Sequence, residues 1–139
     1  MKKADCMYCT KNEKLQRLMI PIAEYEGTNI YYFKDQKHRG RCIVAAGGHY
    51  DELYQMEEEK RNKFMNVVAR LALVIQEEFD ADKINYAIYG DLVPHFHVHL
   101  VPKKEGELQW GGPFTDDIDK VSLAEEEYEQ DIEKIKSRL

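Results

Sequence analysis

Apolar residues at Phe64, Val67, Val68, Leu71, Val74, Ile75 and Phe79 recur in steps of three and four. Those steps draw one stripe along a helix from about Glu57 to Phe79, with Glu and Lys filling the remaining positions. Leu53 and Met56 read as a short helical lead-in. A second stripe, Tyr128, Ile132, Ile135 and Leu139, follows Ser122-Leu123-Ala124-Glu125, which has capping-box spacing. Elsewhere the period shortens. Asn29 to Phe33 is rich in β-formers and predicts a strand. Asp35 to Gly40 is a charged turn, and Arg41 to Ala46 is a second strand ended by Gly47-Gly48. Ile84 to Tyr89 predicts a third, followed by a turn at Gly90-Asp91, and His95 to Val101 a fourth, stopped by Pro102. Strands, a long helix, strands and a tail helix predict an α+β fold with a mainly antiparallel sheet of about five strands, one long helix and a C-terminal helix.

The chain of 139 residues fits a single domain, 1–139, long enough to bury a core without staples. A helical tail is read at about 120–139. Hydrophobic residues make up 43% and charged ones 33%, ordinary for a soluble domain. A formal net charge of −6 carries no basic footprint and argues against a nucleic-acid polymer as partner. A small anion remains possible, since a local site can be positive on an acidic protein. No apolar run approaches the length of a membrane span, and Met1-Lys2-Lys3-Ala4-Asp5-Cys6 has no apolar segment behind its lysines. With three cysteines, an odd count, a disulfide framework is not expected, and the chain reads as cytoplasmic.

The chemistry concentrates in His95-Phe96-His97-Val98-His99. On a strand, alternate residues share a face at about 6.6 Å spacing, so three imidazoles form a row while Phe96, Val98 and Leu100 point to the core. One histidine on a strand is usually solvated or hydrogen-bonded without chemistry; three in strict alternation are not explained that way. Two readings follow from the residues. The imidazoles share a metal, or the central one is a nucleophile whose other ring nitrogen is held by an acceptor. Cys6-Met7-Tyr8-Cys9 is similarly open. A redox pair would sit after a strand in a βαβ unit, which nothing upstream provides. A zinc site needs two further ligands, and two free thiols need nothing.

The stretch Gly90 to Pro102, with three histidines alternating with hydrophobic residues and two more hydrophobics behind, resembles the signature of the histidine triad family. The resemblance continues through Arg39 to Val44 with His49, through Lys83 to Tyr86, and through Trp110-Gly111-Gly112-Pro113-Phe114, and so places the core of the domain at about residues 5–115. It implies an antiparallel α+β fold, usually dimeric. It also implies attack by the middle histidine on a nucleotide α-phosphate through a nucleotidyl-histidine intermediate. On this resemblance His97 is the nucleophile and His99 the neighbour that places the phosphate. Asn85 lies near the reacting phosphate and Asp35 binds ribose hydroxyls. Ile30 and Phe33 are candidates for a base pocket, with the core as the commoner role. The resemblance points to bacterial-type members and to dinucleoside polyphosphate hydrolases, and all three histidines being present favours hydrolase branches. A structural zinc on Cys6, Cys9, His49 and His95 is also implied, with no organic cofactor. Such a zinc would make His95 structural.

Two positions depart from the family's pattern. Asp91 stands where many relatives place an amide beside the phosphate, and a carboxylate there repels substrate unless protonated or turned away. Arg41 stands where several relatives have a fourth histidine; it reads as a bidentate phosphate ligand or as a solvated surface arginine. Cys42 reads as a small core residue, and His38 as exposed and inert. Trp110 reads as closing over substrate, meeting a partner subunit, or simply packed. The reading is therefore a small nucleotide hydrolase or nucleotidyl transferase, a homodimer acting on a small-molecule nucleotide. Its rivals are a nucleotide-binding sensor or scaffold with little turnover, and a metal-dependent enzyme using the histidine row as ligands.

Overall fold

The computed structural model describes residues 3–139, so Met1 and Lys2, which open the stretch read as lacking a leader, lie outside the described residues. Two short helices come first, α1 (Met7–Thr10) and α2 (Glu13–Leu18), the second capped by the Asn12 side chain accepting from the Leu15 amide at 3.2 Å. Strands β1 (Met19–Tyr25) and β2 (Thr28–Phe33) form a hairpin over Glu26 and Gly27, both left-handed at φ 51° and 78°. Then come β3 (Cys42–Ala45), a 3₁₀ turn at Leu53–Gln55, α3 (Glu58–Glu78), β4 (Lys83–Ala87), β5 (His97–Lys103) and α4 (Glu125–Lys136). The sheet runs β1-β2-β3-β5-β4, and every neighbouring pair is antiparallel. The fold is α+β, as the residue pattern predicts.

Strand alternation separates the two faces. Ile30, Tyr32, Cys42, Val44, Val98 and Leu100 pack against the α3 stripe of Phe64, Val67, Val68, Leu71 and Ile75, with Tyr128 and Ile135 of α4 in the same core. Burying each large side chain of that stripe contributes on the order of 1.5–3 kcal/mol. The register pairs His97 with Ala45 and His99 with Ile43, so both histidines share the opposite face with Tyr31 and Ile43. There α1 and α2 cover one end, where Met7, Tyr8 and Leu15 pack on Tyr31, Ile43 and Ala45. The segment after β5 covers the other, where Phe114 packs on Ala87 and Val101. Among the described residues, no helix is long and apolar enough to cross a membrane.

The structure departs from the pattern in several places. β1 has no counterpart in the predicted elements. β5 begins at His97, leaving His95 on the irregular segment before it, and it passes through Pro102 to Lys103. Beyond Leu100 the strand has lost β3 and pairs with β4 alone, so the missing proline N–H falls where only one side has a partner. The tail helix begins three residues after Ser122: Ala124 is its N-cap, and the Glu127 carboxylate accepts from the Ala124 amide at 3.1 Å. The tail itself is part of the main core. Asp131 of α4 is buried, accepting from the Tyr32 hydroxyl at 2.7 Å and from Arg39 Nε at 2.7 Å.

Candidate active site and metal cluster

The ring of each triad histidine is held by a different kind of group, and each group dictates a protonation state. Nδ1 of His97 lies 2.6 Å from the carbonyl oxygen of His95. A carbonyl only accepts, so Nδ1 carries the proton and Nε2 keeps its lone pair. His97 is 7% exposed, and burial pulls its pKa below the ordinary histidine value, against the opposing pull of the His95 carbonyl. A buried neutral imidazole with a free Nε2 has the lone pair that nucleophilic chemistry at neutral pH requires. The ring of Tyr8, from α1, lies over both His95 and His97 with centroids 5.1 and 5.0 Å away.

His99 is held in the opposite sense. The Arg41 guanidinium donates from Nη2 to Nδ1 of His99 at 3.1 Å, so that nitrogen must be unprotonated. Arg41 is 0% exposed, its guanidinium lying 4.2 Å from the Phe33 ring centroid and 4.9 Å from that of Phe114. Asp116 accepts from its Nη1 at 2.7 Å and its Nη2 at 3.3 Å, while Nε has no partner. Burial first, and Arg41 second, push the His99 pKa down to about 3. Arg41 is thus neither a solvated surface arginine nor open to a substrate phosphate, because its polar edge is occupied from within the chain.

His95 engages a different set of partners. Its Nε2 faces the Ala46 carbonyl at 2.8 Å, and its Nδ1 lies 3.3 Å from Cys6 Sγ, 3.6 Å from Cys9 Sγ and 3.2 Å from His49 Nδ1. His49 Nδ1 is 3.3 Å from Cys9 Sγ, and its Nε2 faces the Asp51 carboxylate at 2.9 Å. These four donor atoms all lie within 4.8 Å of one another. A tetrahedral zinc with bonds of about 2.3 Å to sulfur and about 2.0–2.1 Å to nitrogen sets donor separations of about 3.3–3.8 Å. The arrangement fits a Cys₂His₂ zinc, and a second observation supports the fit. With both Nε2 atoms donating to acceptors, the two Nδ1 atoms turn their lone pairs toward each other and toward the two sulfurs, an arrangement that a shared cation would take up. Four protein donors close such a site and leave no position for water. The histidine row does not converge on one point, so it is not a single ligand set, and the reading of a metal enzyme built on the row loses its geometric basis.

Beside His99, Phe33 leads into a cavity of about 630 Å³ lined by Leu18, Phe33, Asp35, Asp116, Ser122 and Tyr128, among others. Phe33 therefore belongs to this face, whereas Ile30 is in the core behind the sheet. Asp35 is buried on the cavity wall. It pairs with Lys37 and accepts from the Val121 amide at 3.1 Å, and these contacts outweigh burial and lower its pKa. Asn85 lies on the histidine face of β4, opposite Val101, and lines a separate cavity of about 460 Å³ with Lys83, Lys103, Trp110 and Gly112. Asp91 is exposed on the segment leading to β5. Cys42 is buried in the core behind the sheet.

His38 is buried rather than exposed. It bonds the Gln109 side chain at 2.8 Å and lies edge-on to Phe114, because the segment after β5 folds back over it. Lys103 holds that same segment by donating to the carbonyls of Gln109 at 2.8 Å and of Gly112. Tyr8, Phe114 and Asp116 are the site residues that sequence reasoning missed. Tyr8 stood inside the cysteine pair, but nothing in the sequence separates Asp116 from Asp117.

The profile of the HIT domain family matches residues 22–106. The protein named Protein hit of Bacillus subtilis is 26% identical over 108 residues, 70% of this chain and 74% of its own. A bis(5'-adenosyl)-triphosphatase of Dictyostelium discoideum is 29% identical over 86 residues, 58% of either chain. Among solved structures, a histidine triad protein from Bradyrhizobium japonicum matches with a TM-score of 0.84 at 20% identity, covering 91% of this chain and 95% of that one. A zinc-bound histidine triad family protein from Mycobacterium smegmatis matches with a TM-score of 0.69 at 23% identity, covering 96% and 92%.

Proposed function

This chain belongs to the HIT domain family, and from that premise we propose that it is a nucleotide hydrolase or nucleotidyl transferase with His97 as its nucleophile. The observation that carries the proposal is the His97–His95 hydrogen bond, which leaves Nε2 of a buried neutral imidazole unprotonated. That lone pair attacks the α-phosphorus of a nucleoside phosphate derivative, forming a P–N bond as the bond to the leaving group breaks. The departing oxygen or nitrogen takes up a proton. Water, or a second acceptor, then attacks the same phosphorus, the P–N bond breaks, and His97 is regenerated. His99 donates to the phosphate while charge develops on its oxygens, the stage at which fixed donors contribute most.

The cavity beside Phe33 is of a size for a nucleoside, and Asp35 on its wall would accept from ribose hydroxyls. A dinucleoside polyphosphate or a nucleoside phosphoramidate is the substrate class. The Dictyostelium relative bears the name of an enzyme for the former. Zinc on Cys6, Cys9, His49 and His95 would fix α1, and with it Tyr8, against the histidine face. The same proposal includes cytoplasmic location, which keeps thiolates reduced. It also includes a homodimer, for which the edge strand β4 and the exposed Tyr86, Ile88 and Tyr89 offer a surface.

The test is intact-protein mass spectrometry after acid quench with an adenosine phosphoramidate or dinucleoside polyphosphate, run on wild type and His97→Ala. An added nucleotidyl mass on the wild type, missing from the variant, is the expected result. No adduct and no turnover, with mononucleotide still bound, overturns the enzyme and leaves a nucleotide-binding sensor or scaffold.

A further inference from the structure

We propose that Arg41 is a positioning residue that locks His99 as an Nε2–H hydrogen-bond donor, and that Asp116 holds Arg41 in place to do so. The inference rests on the functional reading above only for what the locked proton is used for; the lock itself stands on geometry.

Arginine has five donors and no acceptor, so the ring nitrogen 3.1 Å from Arg41 Nη2 cannot bear a proton. A neutral imidazole has one proton, which must then sit on the other nitrogen. The guanidinium has no freedom to release it. The Phe33 and Phe114 rings pack on it with centroids 4.2 and 4.9 Å from its central carbon, and Asp116 accepts from both terminal nitrogens. Nε is buried without a partner, so the side chain is oriented wholly through its two terminal nitrogens. Lys37 lies 3.6 Å from Asp116 and adds a second cation to the carboxylate that grips Arg41.

The consequence is a division between neighbours on one strand face. The His95 carbonyl leaves Nε2 of His97 bare, and the Arg41 guanidinium leaves Nε2 of His99 protonated. One ring supplies the electron pair and the next supplies the hydrogen bond. A free histidine would exchange between tautomers and charge below neutral pH, so part of the population would present the wrong nitrogen. The charged or titratable groups facing His99 are Arg41 from just before β3, His97 on its own strand, Asp116 from the segment after β5 and Tyr89 after β4. The rings of Phe33 and Phe114 face it as well.

The experiment is long-range ¹H–¹⁵N correlation on ¹⁵N-histidine-labelled protein, with His99 assigned by its absence in His99→Gln. It is recorded between about pH 5 and 8 on wild type, Arg41→Met, Arg41→Lys and Asp116→Asn, beside kcat and KM. Wild-type His99 is expected as a pure Nε2–H tautomer that does not charge in that range. Arg41→Met is expected to give mixed tautomers and a titration inside the range, with kcat lowered about 10- to 100-fold and KM little changed. Arg41→Lys, which keeps a charged donor, is expected to restore much of the tautomer bias and of kcat. Should Arg41→Met not fold, Asp116→Asn, which loosens the same grip from a more exposed position, is expected to mix the tautomers in part. An Nδ1–H signal, or ordinary titration of wild-type His99, overturns the proposal. So does an unchanged tautomer in a folded Arg41→Met protein. A locked tautomer in a protein that forms no His97 adduct would sink the enzyme reading alone, because the two results are measured separately.

Discussion

The carbonyl oxygen of His95 accepts from Nδ1 of His97 at 2.6 Å, while the ring of His95 reaches the opposite way to Cys6 at 3.3 Å. One residue therefore serves two clusters: its side chain belongs to the Cys6, Cys9 and His49 group, and its backbone sets the protonation of His97. A change that moves His95 touches both, whereas the reverse need not hold.

Zinc should be found at one per chain by plasma mass spectrometry and be lost from Cys6→Ser. Its removal should cost about 3–4 kcal/mol of stability when zinc had been at some hundred to a thousand times its Kd, read from the unfolding midpoint. Because the closed cluster offers no open position, brief chelation should leave the His97 adduct on protein that is still folded. Chelation that erased the adduct without unfolding the chain would contradict a structural metal.

Stability should fall with acid in a way traceable to His99. Its pKa is near 3 when folded, against about 6.5 in an unfolded chain, so between those values the unfolded state binds more protons. The stabilisation is present above pH 6.5 and declines as pH drops, by up to about 1.4 kcal/mol per unit from this one group. Denaturant unfolding of wild type and His99→Gln at pH 7.5, 6 and 5 isolates it. Equal slopes for the two proteins would mean that His99 charges in the folded state.

Asp131→Ala should destabilise by about 2–4 kcal/mol in urea unfolding. It strands the fully buried Tyr32 hydroxyl and frees Arg39 from a two-point contact. Adding Tyr32→Phe to the variant should recover part of the loss, because no unpaired hydroxyl then remains.

Gly47→Ala should be among the most damaging single-methyl changes in the chain. A Cβ there would stand 1.6 Å from the Gly27 carbonyl oxygen, at the tip of the β1–β2 hairpin, so backbone must move. A loss of about 3 kcal/mol or more is expected, with zinc bound more weakly because His49 lies two residues on. A variant as stable as wild type would show that the hairpin tip gives way freely.

The long helix, β2, β3 and β4 were legible because burial on one side imposes a period that the residues obey. Elements that break the period were not. β1 carries Pro21 and a register shift between Pro21 and Ala23, which spoils its alternation. α1 and α2 have four and six residues, too few to show a stripe. The histidine spacing announced chemistry, yet strict alternation implied three rings in one row, and the chain leaves the strand at His95 instead. Arg41 could be flagged as unusual from sequence, but its burial depends on Asp116, 75 residues away. Such a pairing is set by tertiary folding alone.

The C-terminal segment bonds to the loop that carries Asp35. The Gln36 amide donates to the Val121 carbonyl at 2.8 Å, and the Tyr128 hydroxyl donates to the Lys34 carbonyl at 2.6 Å. Ser122, Glu125 and Tyr128 also form part of the large cavity's lining. A protein shortened at residue 120 would keep every histidine and every cysteine, and would still lose one wall of the cavity that opens at Phe33 and Asp35.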